Sequence, residues 1–266
     1  MKPNTKNRLR LALNFFTAYK RATPDFVIIG SSKSGTSNLY RYLQEHPQLK
    51  ASHPYKEIGY FARRYHRGPL WYRANFPVRE PGKLYYEATP SYIVHPEAAH
   101  RMHAFNPAMK LIASFRHPIE RAFSNYQHAH RNGSRRAQAP FDEIVTEEVR
   151  NYDPARYDTS KTSKVHFGWV HPGLYLQHLK AWLELFPREQ IHIIISDDLF
   201  AEPQATMDGI YDFLGVARIQ HDAFPNVNKG NYSGSMKPET LELLREFYRP
   251  HNEALFQFLG RRYDWD

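Results

Sequence analysis

The sequence predicts an α/β fold of three layers, in which a central parallel sheet is flanked by helices. Short apolar, β-branched runs alternate with segments of helical spacing along most of the 266 residues, as expected of parallel strands joined by crossover helices. The first of these runs ends in a glycine-containing loop that leads directly into a helical segment. Such a P-loop-like arrangement is typical of nucleotide-binding folds.

The elements follow in a regular order along the chain. Apolar runs predict strands at residues 26–29, 83–87, 110–115 and 190–195. Helical spacing predicts helices at residues 36–45, 96–105, 118–131, 174–186, 203–214 and 238–258, the last with a break near Pro250. The stretches 52–80, 132–170 and 218–237 are predicted to be irregular. In sheets of this kind, long loops beyond the strand ends bind ligands.

Composition excludes several classes of protein. Hydrophobic residues make up 41% of the chain and charged residues 24%, which is ordinary for a globular protein. The absence of cysteine excludes disulfides, zinc–thiolate sites and thiol catalysis. The 36 basic and 27 acidic residues give a net charge of +9, which favours anionic partners. We expect residues 1–22 to form an extension and residues 23–266 to form a single domain.

Residues 1–21 have the pattern of a basic amphipathic helix. Either the helix packs on the surface of the domain, or it makes peripheral contact with an anionic membrane. Asn14 and Thr17 interrupt the apolar part, and no small-residue cleavage site precedes Lys20. The segment is therefore a poor match to a secretory signal peptide.

A phosphate-binding loop is predicted between the first strand and the first helix. Its candidate ligand-binding residues are Ser32, Lys33, Ser34, Gly35, Thr36 and Ser37. Backbone N–H groups of such a loop and the start of the following helix face an anion. The loop departs from a Walker A motif, because Thr36 follows the second glycine and the lysine lies at position 33. A plain strand-to-helix turn is the alternative.

A second anion site is predicted where the strand at residues 110–115 ends. A magnesium-dependent nucleotidase often has an aspartate near such a position, whereas this chain has Arg116, with Ser124 about two helical turns further on. The two side chains can reach one phosphate, although Arg116 can instead pair with Glu120. We therefore expect no metal, and Asp197 alone favours an ATPase.

A third basic element, Lys229-Gly230-Asn231-Tyr232, precedes the last predicted helix. Gly230 permits a ligand to approach the backbone closely. The aromatic ring of Tyr232 can stack on a base. This element completes the set of candidate nucleotide-binding residues.

Taken together, these features resemble the PAPS-dependent sulfotransferases, especially the heparan sulfate N- and 3-O-sulfotransferase domains and their bacterial relatives. The likeness extends over residues 24–266 and includes the motifs at 56–61, 86–92 and 260–265. It implies the sulfotransferase fold, PAPS as sulfuryl donor, PAP as product and no required metal.

The resemblance also implies roles for individual residues. Lys33 and the residues of its loop match the 5′-phosphosulfate loop, and Arg116 and Ser124 match the pair that binds the 3′-phosphate. Lys229, Gly230 and Asn231 match a late loop that closes over the same phosphate. Glu57 matches the general base, although it can instead pair with Lys56 or Arg63. Lys33 is expected to stabilise charge on the leaving oxygen.

Departures from the family pattern leave the acceptor open. Gly59 and Ala88 stand where relatives carry histidine and lysine, and a cysteine-bridged hairpin is absent. A glycan, a glycolipid, a peptide tyrosine and a phenol all remain possible acceptors, and nucleic acid is not expected as a partner.

The alternative functions are a nucleotide kinase or ATPase and a non-catalytic binder of acidic polymers. The expected location is the cytoplasm of a bacterium, with peripheral membrane association as an option.

Overall fold

A parallel β-sheet forms the centre of the fold. The computed structural model describes residues 5–154, 168–225 and 235–265, and within them five strands are arranged in the order β2-β3-β1-β4-β5. The strands are β1 (Phe26–Gly30), β2 (Leu49–Ala51), β3 (Leu84–Ala88), β4 (Lys110–Phe115) and β5 (Ile191–Ile195). All four pairings are parallel. The predicted α/β class is confirmed, because every crossover contains helix.

Helices connect and flank the strands. Those described are α1 (Thr5–Phe15), α2 (Thr36–Gln44), α3 (Gly68–Arg73), α4 (Ala98–Phe105), α5 (Pro118–Arg131), α6 (Phe141–Arg150), α7 (Tyr175–Leu183), α8 (Ser196–Ala201), α9 (Pro203–Leu214) and α10 (Pro238–Leu259). The predicted bounds of β4, α5 and α9 are reproduced. Two stretches predicted to be irregular contain α3 and α6, and the short elements β2 and α8 were not predicted.

Side chains of alternate strand residues form apolar cores on opposite faces of the sheet. In β1, Phe26 and Ile28 pack with α2 and α9, whereas Val27 and Ile29 pack with α4, α7 and the end of α10. A third apolar cluster joins α5, α6 and the first half of α10. The sheet is therefore covered on both faces, which accounts for the continuous apolar runs of its strands.

The predicted break near Pro250 is wrong, because α10 continues through it to Leu259. A proline inside a helix removes one backbone hydrogen bond. Pro250 itself is exposed, while Tyr248, Asn252 and Leu255 continue the buried stripe on either side of it. Packing of this stripe outweighs the local preference of proline.

The ends of the described chain are fixed by polar contacts. At the N-terminal end, the Asn14 side chain donates a hydrogen bond to the carbonyl of Ala74 (2.9 Å). At the C-terminal end, Arg261 and Tyr263 both bond to Asp198. Among the described residues, none of the helices combines the length and the apolarity that a membrane-spanning segment requires.

Replacement of Gly30 by alanine should destabilise the fold by about 1–3 kcal/mol, because strained overpacking costs this much in a well-filled core. A Cβ atom at Gly30 would lie 2.7 Å from the Cβ of Ile93 and 3.2 Å from the carbonyl oxygen of Pro90. Gly209→Ala, in helix α9, is the control, because the nearest atom to its added Cβ would be Cε1 of His192, 4.0 Å away. Urea unfolding of both variants measures the effect, and an unchanged stability of Gly30→Ala would contradict it.

Candidate active site

The predicted phosphate loop lies between β1 and α2, at the carboxyl edge of the sheet. The backbone N–H of Ser31 donates to the carbonyl of Ser114 at the end of β4 (2.7 Å). The hydroxyls of Ser31 and Ser34 share a hydrogen bond (2.7 Å), and the Ser114 hydroxyl donates to the Ser34 carbonyl. These bonds tie the loop to the neighbouring strand and hold it open toward the start of α2.

Lys33 has an unusual backbone conformation. Its φ is 72°, in the left-handed region, and the φ of Gly35 is 79°. Glycine adopts this region freely, but for a residue such as lysine it costs about 1–3 kcal/mol. Strain of this kind persists where surrounding contacts impose it, and it is concentrated at functional sites. The loop is thus shaped at the expense of local stability.

Lys56 connects the phosphate loop to Glu57. Its ammonium group donates to the hydroxyl of Ser37 (2.8 Å), lies 4.0 Å from the Glu57 carboxylate and faces the ring of Tyr40. Burial lowers the pKa of Lys56, the charge of Glu57 opposes that shift, and the charge of Lys33 adds to it. The Glu57 side chain is 60% exposed. Its carboxylate is therefore open to a reactant and lies beside Lys56.

His128 of α5 faces the same charges. Burial lowers its pKa, the charges of Lys33 and Arg131 lower it further, and Glu57 opposes the shift. His128 is not among the site residues predicted from the sequence. Its position four residues after Ser124, on one face of α5, was the available indication.

The predicted 3′-phosphate pair has a different arrangement of partners. The Arg116 guanidinium binds the Glu120 carboxylate through Nε (3.0 Å) and Nη2 (2.6 Å). The Ser124 side chain is buried on α5, and the Tyr175 hydroxyl donates to the carbonyl of Arg116 (2.7 Å). The phosphate-binding role of Arg116 and Ser124 stays a prediction.

The sequence also predicted a late nucleotide-binding loop and singled out Asp197 as the residue that favours an ATPase. Lys229, Gly230, Asn231 and Tyr232 lie outside the described residues. Asp197, the residue that favoured an ATPase, accepts a hydrogen bond from the indole N–H of Trp265 (3.1 Å). Within the described ranges, no group of three acidic or histidine side chains is arranged to hold a metal ion.

A cleft of about 1160 Å³ opens beside Ser37 and Glu57. The side chains that line it come from α1, from the segment 54–71 and from the start of the loop after β3. Its cationic residues are Arg8, Lys56, Arg63, Arg64 and Arg67. Glu57 is the one acidic residue among the described lining residues. Trp71 lines the cleft, whereas Tyr72 faces the core and is fully buried.

Glu87, at the end of β3, is a completely buried carboxylate. It accepts hydrogen bonds from the hydroxyls of Tyr72 (3.0 Å), Tyr92 (2.8 Å) and Thr89 (2.5 Å), and from the backbone N–H of Ile58. Burial raises its pKa to about 7, while these hydrogen bonds oppose the shift. The carboxylate is the centre of a buried polar network.

This network holds the segment that follows Glu57. The N–H of Gly59 donates to the Thr89 hydroxyl (3.2 Å), and the N–H of Phe61 donates to the Tyr92 hydroxyl (3.3 Å). Both hydroxyls in turn donate to Glu87. Glu57 is among the site residues predicted from the sequence and Glu87 is not, although an ionisable residue inside an apolar strand is a visible indication of a special role.

Comparison with known proteins identifies relatives. The profile of the family described as sulfotransferase domain matches residues 23–249. Mouse heparan sulfate glucosamine 3-O-sulfotransferase 3B1 is 34% identical over 277 residues, covering 95% of this chain and 68% of the relative. The chain spans about two thirds of the length of the first curated relatives it matches.

Solved structures agree with the fold. A sulfotransferase from Alicyclobacillus acidocaldarius has a TM-score of 0.72 at 27% identity, covering 92% of this chain and 99% of its own. Mouse sulfotransferase SULT7A1, solved with PAP, has a TM-score of 0.55 at 15% identity, covering 97% of this chain and 96% of its own. The latter supports the fold alone.

The raised pKa of Glu87 predicts a pH-dependent stability. Because the folded chain holds this proton more tightly than the unfolded chain, the stabilisation is fully present below about pH 4.5 and is lost as pH rises through about 7. Glu87→Gln is neutral throughout. From about pH 5 to about pH 8, we expect its free energy of unfolding to rise relative to the parent by roughly 3 kcal/mol.

Urea unfolding at the two pH values provides the measurement. The exposed Glu80→Gln replacement is the control and should show a difference from the parent that does not vary with pH. An equally constant difference for Glu87→Gln would refute the assignment of a raised pKa.

Proposed function

This chain belongs to the sulfotransferase domain family, which uses PAPS as sulfuryl donor, and we propose that it sulfates a hydroxyl (or amine) of an anionic acceptor, releasing PAP. One observation supports the proposal above all. A strained lysine of the phosphate loop, Lys33, acts electrostatically on Lys56, which also feels the exposed carboxylate of Glu57. A group that stabilises a leaving anion thus lies near a group that can accept a proton.

For the donor, the proposal assigns the loop residues Ser32 to Ser37 to the 5′-phosphosulfate. Backbone N–H groups at the start of a helix favour an anion there. Arg116 and Ser124 are assigned to the 3′-phosphate, which requires the Arg116 guanidinium to leave or share Glu120. The sequence-based roles of Lys229, Gly230, Asn231 and Tyr232 belong to the same proposal.

In the proposed reaction, the acceptor oxygen attacks sulfur while the bond from sulfur to the bridging phosphate oxygen breaks. Lys33 stabilises the negative charge that develops on that oxygen. Glu57 takes the proton of the acceptor hydroxyl. Lys56 bridges the two regions, since its ammonium group binds Ser37 and faces Glu57. No metal is required in this proposal.

The charge of the cleft favours an anionic acceptor. Five cationic side chains and one carboxylate are found among its described lining residues, and such an arrangement attracts anions. The curated relative named above acts on heparan sulfate, which is consistent with an anionic glycan or glycolipid. Gly59, which lines the cleft, and Ala88, which is buried at the end of β3, differ from the family pattern, so the acceptor need not be heparan sulfate. A peptide tyrosine or a phenol is less well matched to the charge.

The proposal includes a place of action. Lys6, Arg8 and Arg10 of α1 suit peripheral contact of residues 1–21 with an anionic membrane. A cytoplasmic location in a bacterium stays a prediction. Family membership disfavours both a kinase or ATPase and a non-catalytic binder, and Asp197 is engaged by Trp265.

Titration calorimetry and thermal unfolding with PAP test the donor assignment. PAP at 100 times its dissociation constant should stabilise the chain by about 2.7 kcal/mol. ATP with Mg²⁺ is the comparison ligand and should give a smaller effect. Absence of PAP binding would overturn the proposed function.

Replacement of the two proposed catalytic groups should reduce turnover. We expect about a 10²–10³-fold loss for Lys33→Ala and about a 10²–10⁴-fold loss for Glu57→Gln. PAP affinity should survive Glu57→Gln, because that carboxylate contacts the acceptor. Glu80→Gln, at an exposed position, is the matched control. Near-normal sulfate transfer by Glu57→Gln would remove Glu57 from the role of base.

Arg67 provides a test of the anionic acceptor. Its guanidinium lies 5.5 Å from the ring centre of Trp71 in the cleft lining. Arg67→Ala should raise the KM for heparan sulfate, used as a polyanionic probe, by roughly fivefold, which corresponds to loss of about 1 kcal/mol of attraction. PAP affinity should not change. Arg249→Ala, an exposed arginine outside the described cleft lining, is the control, and equal KM values for both variants would argue against the proposal.

A further inference from the structure

The helix α1 is attached to the protein without being part of its core. None of the residues of α1 (Thr5–Phe15) is buried. It is held by polar contacts instead: Asn14 donates to the carbonyl of Ala74, and Arg21, just beyond the helix, donates to the carbonyl of Phe76 (2.7 Å) and to the Asn14 side chain (2.6 Å). A helix fixed in this way leaves its apolar side chains available for another function.

One face of α1 lines the cleft. Arg8, Leu11, Ala12 and Phe15 all contribute to its wall, and their spacing of three and four residues places them on one side of the helix. The same cleft contains the carboxylate of Glu57. An acceptor at Glu57 therefore shares its cavity with apolar and cationic groups of α1.

A second apolar stripe of α1 faces solvent. Leu9 and Leu13 are 63% and 61% exposed, and their spacing of four residues places them on one side of the helix. Phe16, which follows the helix and also lines the cleft, is 79% exposed. Five of the ten large hydrophobic side chains that are exposed in the described chain lie between residues 9 and 19. This concentration is far from the scattered single residues of an ordinary surface.

The charges around the outer stripe indicate what covers it. Lys6, Arg8, Arg10, Lys20 and Arg21 are basic, and residues 5–24 contain no aspartate or glutamate. A helix that exposes apolar side chains and whose charged residues are all basic is suited to lie in the interface of an anionic bilayer. Each basic side chain near such a surface adds attraction.

We propose that α1 seats the enzyme on an anionic membrane and that the acceptor is a hydroxyl-bearing lipid of that membrane, which enters the cleft along the inner face of α1. The proposal rests on the proposed function and names its substrate class. Leu11, Phe15 and Trp71 supply apolar lining for the lipid portion. Arg8 and Arg67 supply positive charge for an anionic headgroup.

The reaction balances for such a lipid. The lipid hydroxyl oxygen forms a bond to sulfur, and the bond from sulfur to the bridging oxygen of PAPS breaks. The products are a lipid sulfate ester and PAP, and Glu57 takes the proton.

A polar glycan chain alone would leave the apolar part of the cleft wall without an apolar group to pack against it.

Binding to vesicles tests the membrane contact independently of catalysis. We expect the full chain to sediment with vesicles of phosphatidylglycerol and phosphatidylcholine, but weakly with phosphatidylcholine alone. The double replacement Leu9→Ser with Leu13→Ser should weaken binding by at least about tenfold, because two apolar side chains no longer enter the bilayer. The matched control is Val78→Ser with Phe258→Ser, two exposed apolar side chains outside α1.

Sulfate transfer tests the lipid acceptor. With labelled PAPS, we expect label in the organic phase when vesicles made from a total bacterial lipid extract are supplied, and far less in the water-soluble glycan fraction of the same cells. The Leu9/Leu13 variant should lose this transfer and keep its affinity for PAP. If the lipid takes up no label, the lipid acceptor is wrong, whatever the glycan fraction does. Unchanged vesicle binding by the variant would overturn the role of α1, whereas failure of PAP to bind would instead overturn the proposed function.

Discussion

The buried carboxylate of Glu87 is the interaction on which the candidate site depends. An ionisable group without access to water is unfavourable unless hydrogen bonds satisfy it, and here three hydroxyls and one backbone N–H do so. Two of those hydroxyls, from Thr89 and Tyr92, also accept N–H groups of the segment after Glu57. The buried carboxylate thus helps to hold the segment that follows the exposed carboxylate of Glu57, through the hydroxyls of Thr89 and Tyr92. Because part of the network is charged, its strength also depends on pH.

Positive charge is concentrated around the loop that is predicted to bind phosphate, and this opposes local stability. Lys33 acts unfavourably on two neighbours, since its charge lowers the pKa of both Lys56 and His128. The backbone of Lys33 is strained as well. A bound anion would relieve the repulsion between the cations. The loop predicted to bind phosphate thus has the backbone strain and the cationic repulsion expected of a preorganised electrostatic site.

The cleft and α1 join the chemistry to the surroundings of the molecule. The cleft places Ser37 of the phosphate loop, Glu57 and the inner face of α1 around one space. Leu9 and Leu13 of α1 are exposed on its outer side, and all charged residues of the helix are basic. Because α1 also lines the cleft, membrane binding by this helix would bring the cleft close to the lipids that could enter it. A helix remote from the cleft would not do this.

The sequence by itself determined the α/β class, the order of the predicted strands and helices and the position of the phosphate loop after β1. These features depend on local periodicity and on turn residues; accordingly β4, α5 and α9 have their predicted bounds. Tertiary structure decided the rest. Four features depend on which side chains meet in space. They are the ion pair of Arg116 with Glu120, the hydrogen bond from Lys56 to Ser37, the burial of Glu87 and the continuation of α10 through Pro250. Periodicity along the chain gives the face of a helix or strand on which a residue lies. The partner of that residue is determined by contacts between distant segments, and a single sequence contains no direct record of those contacts.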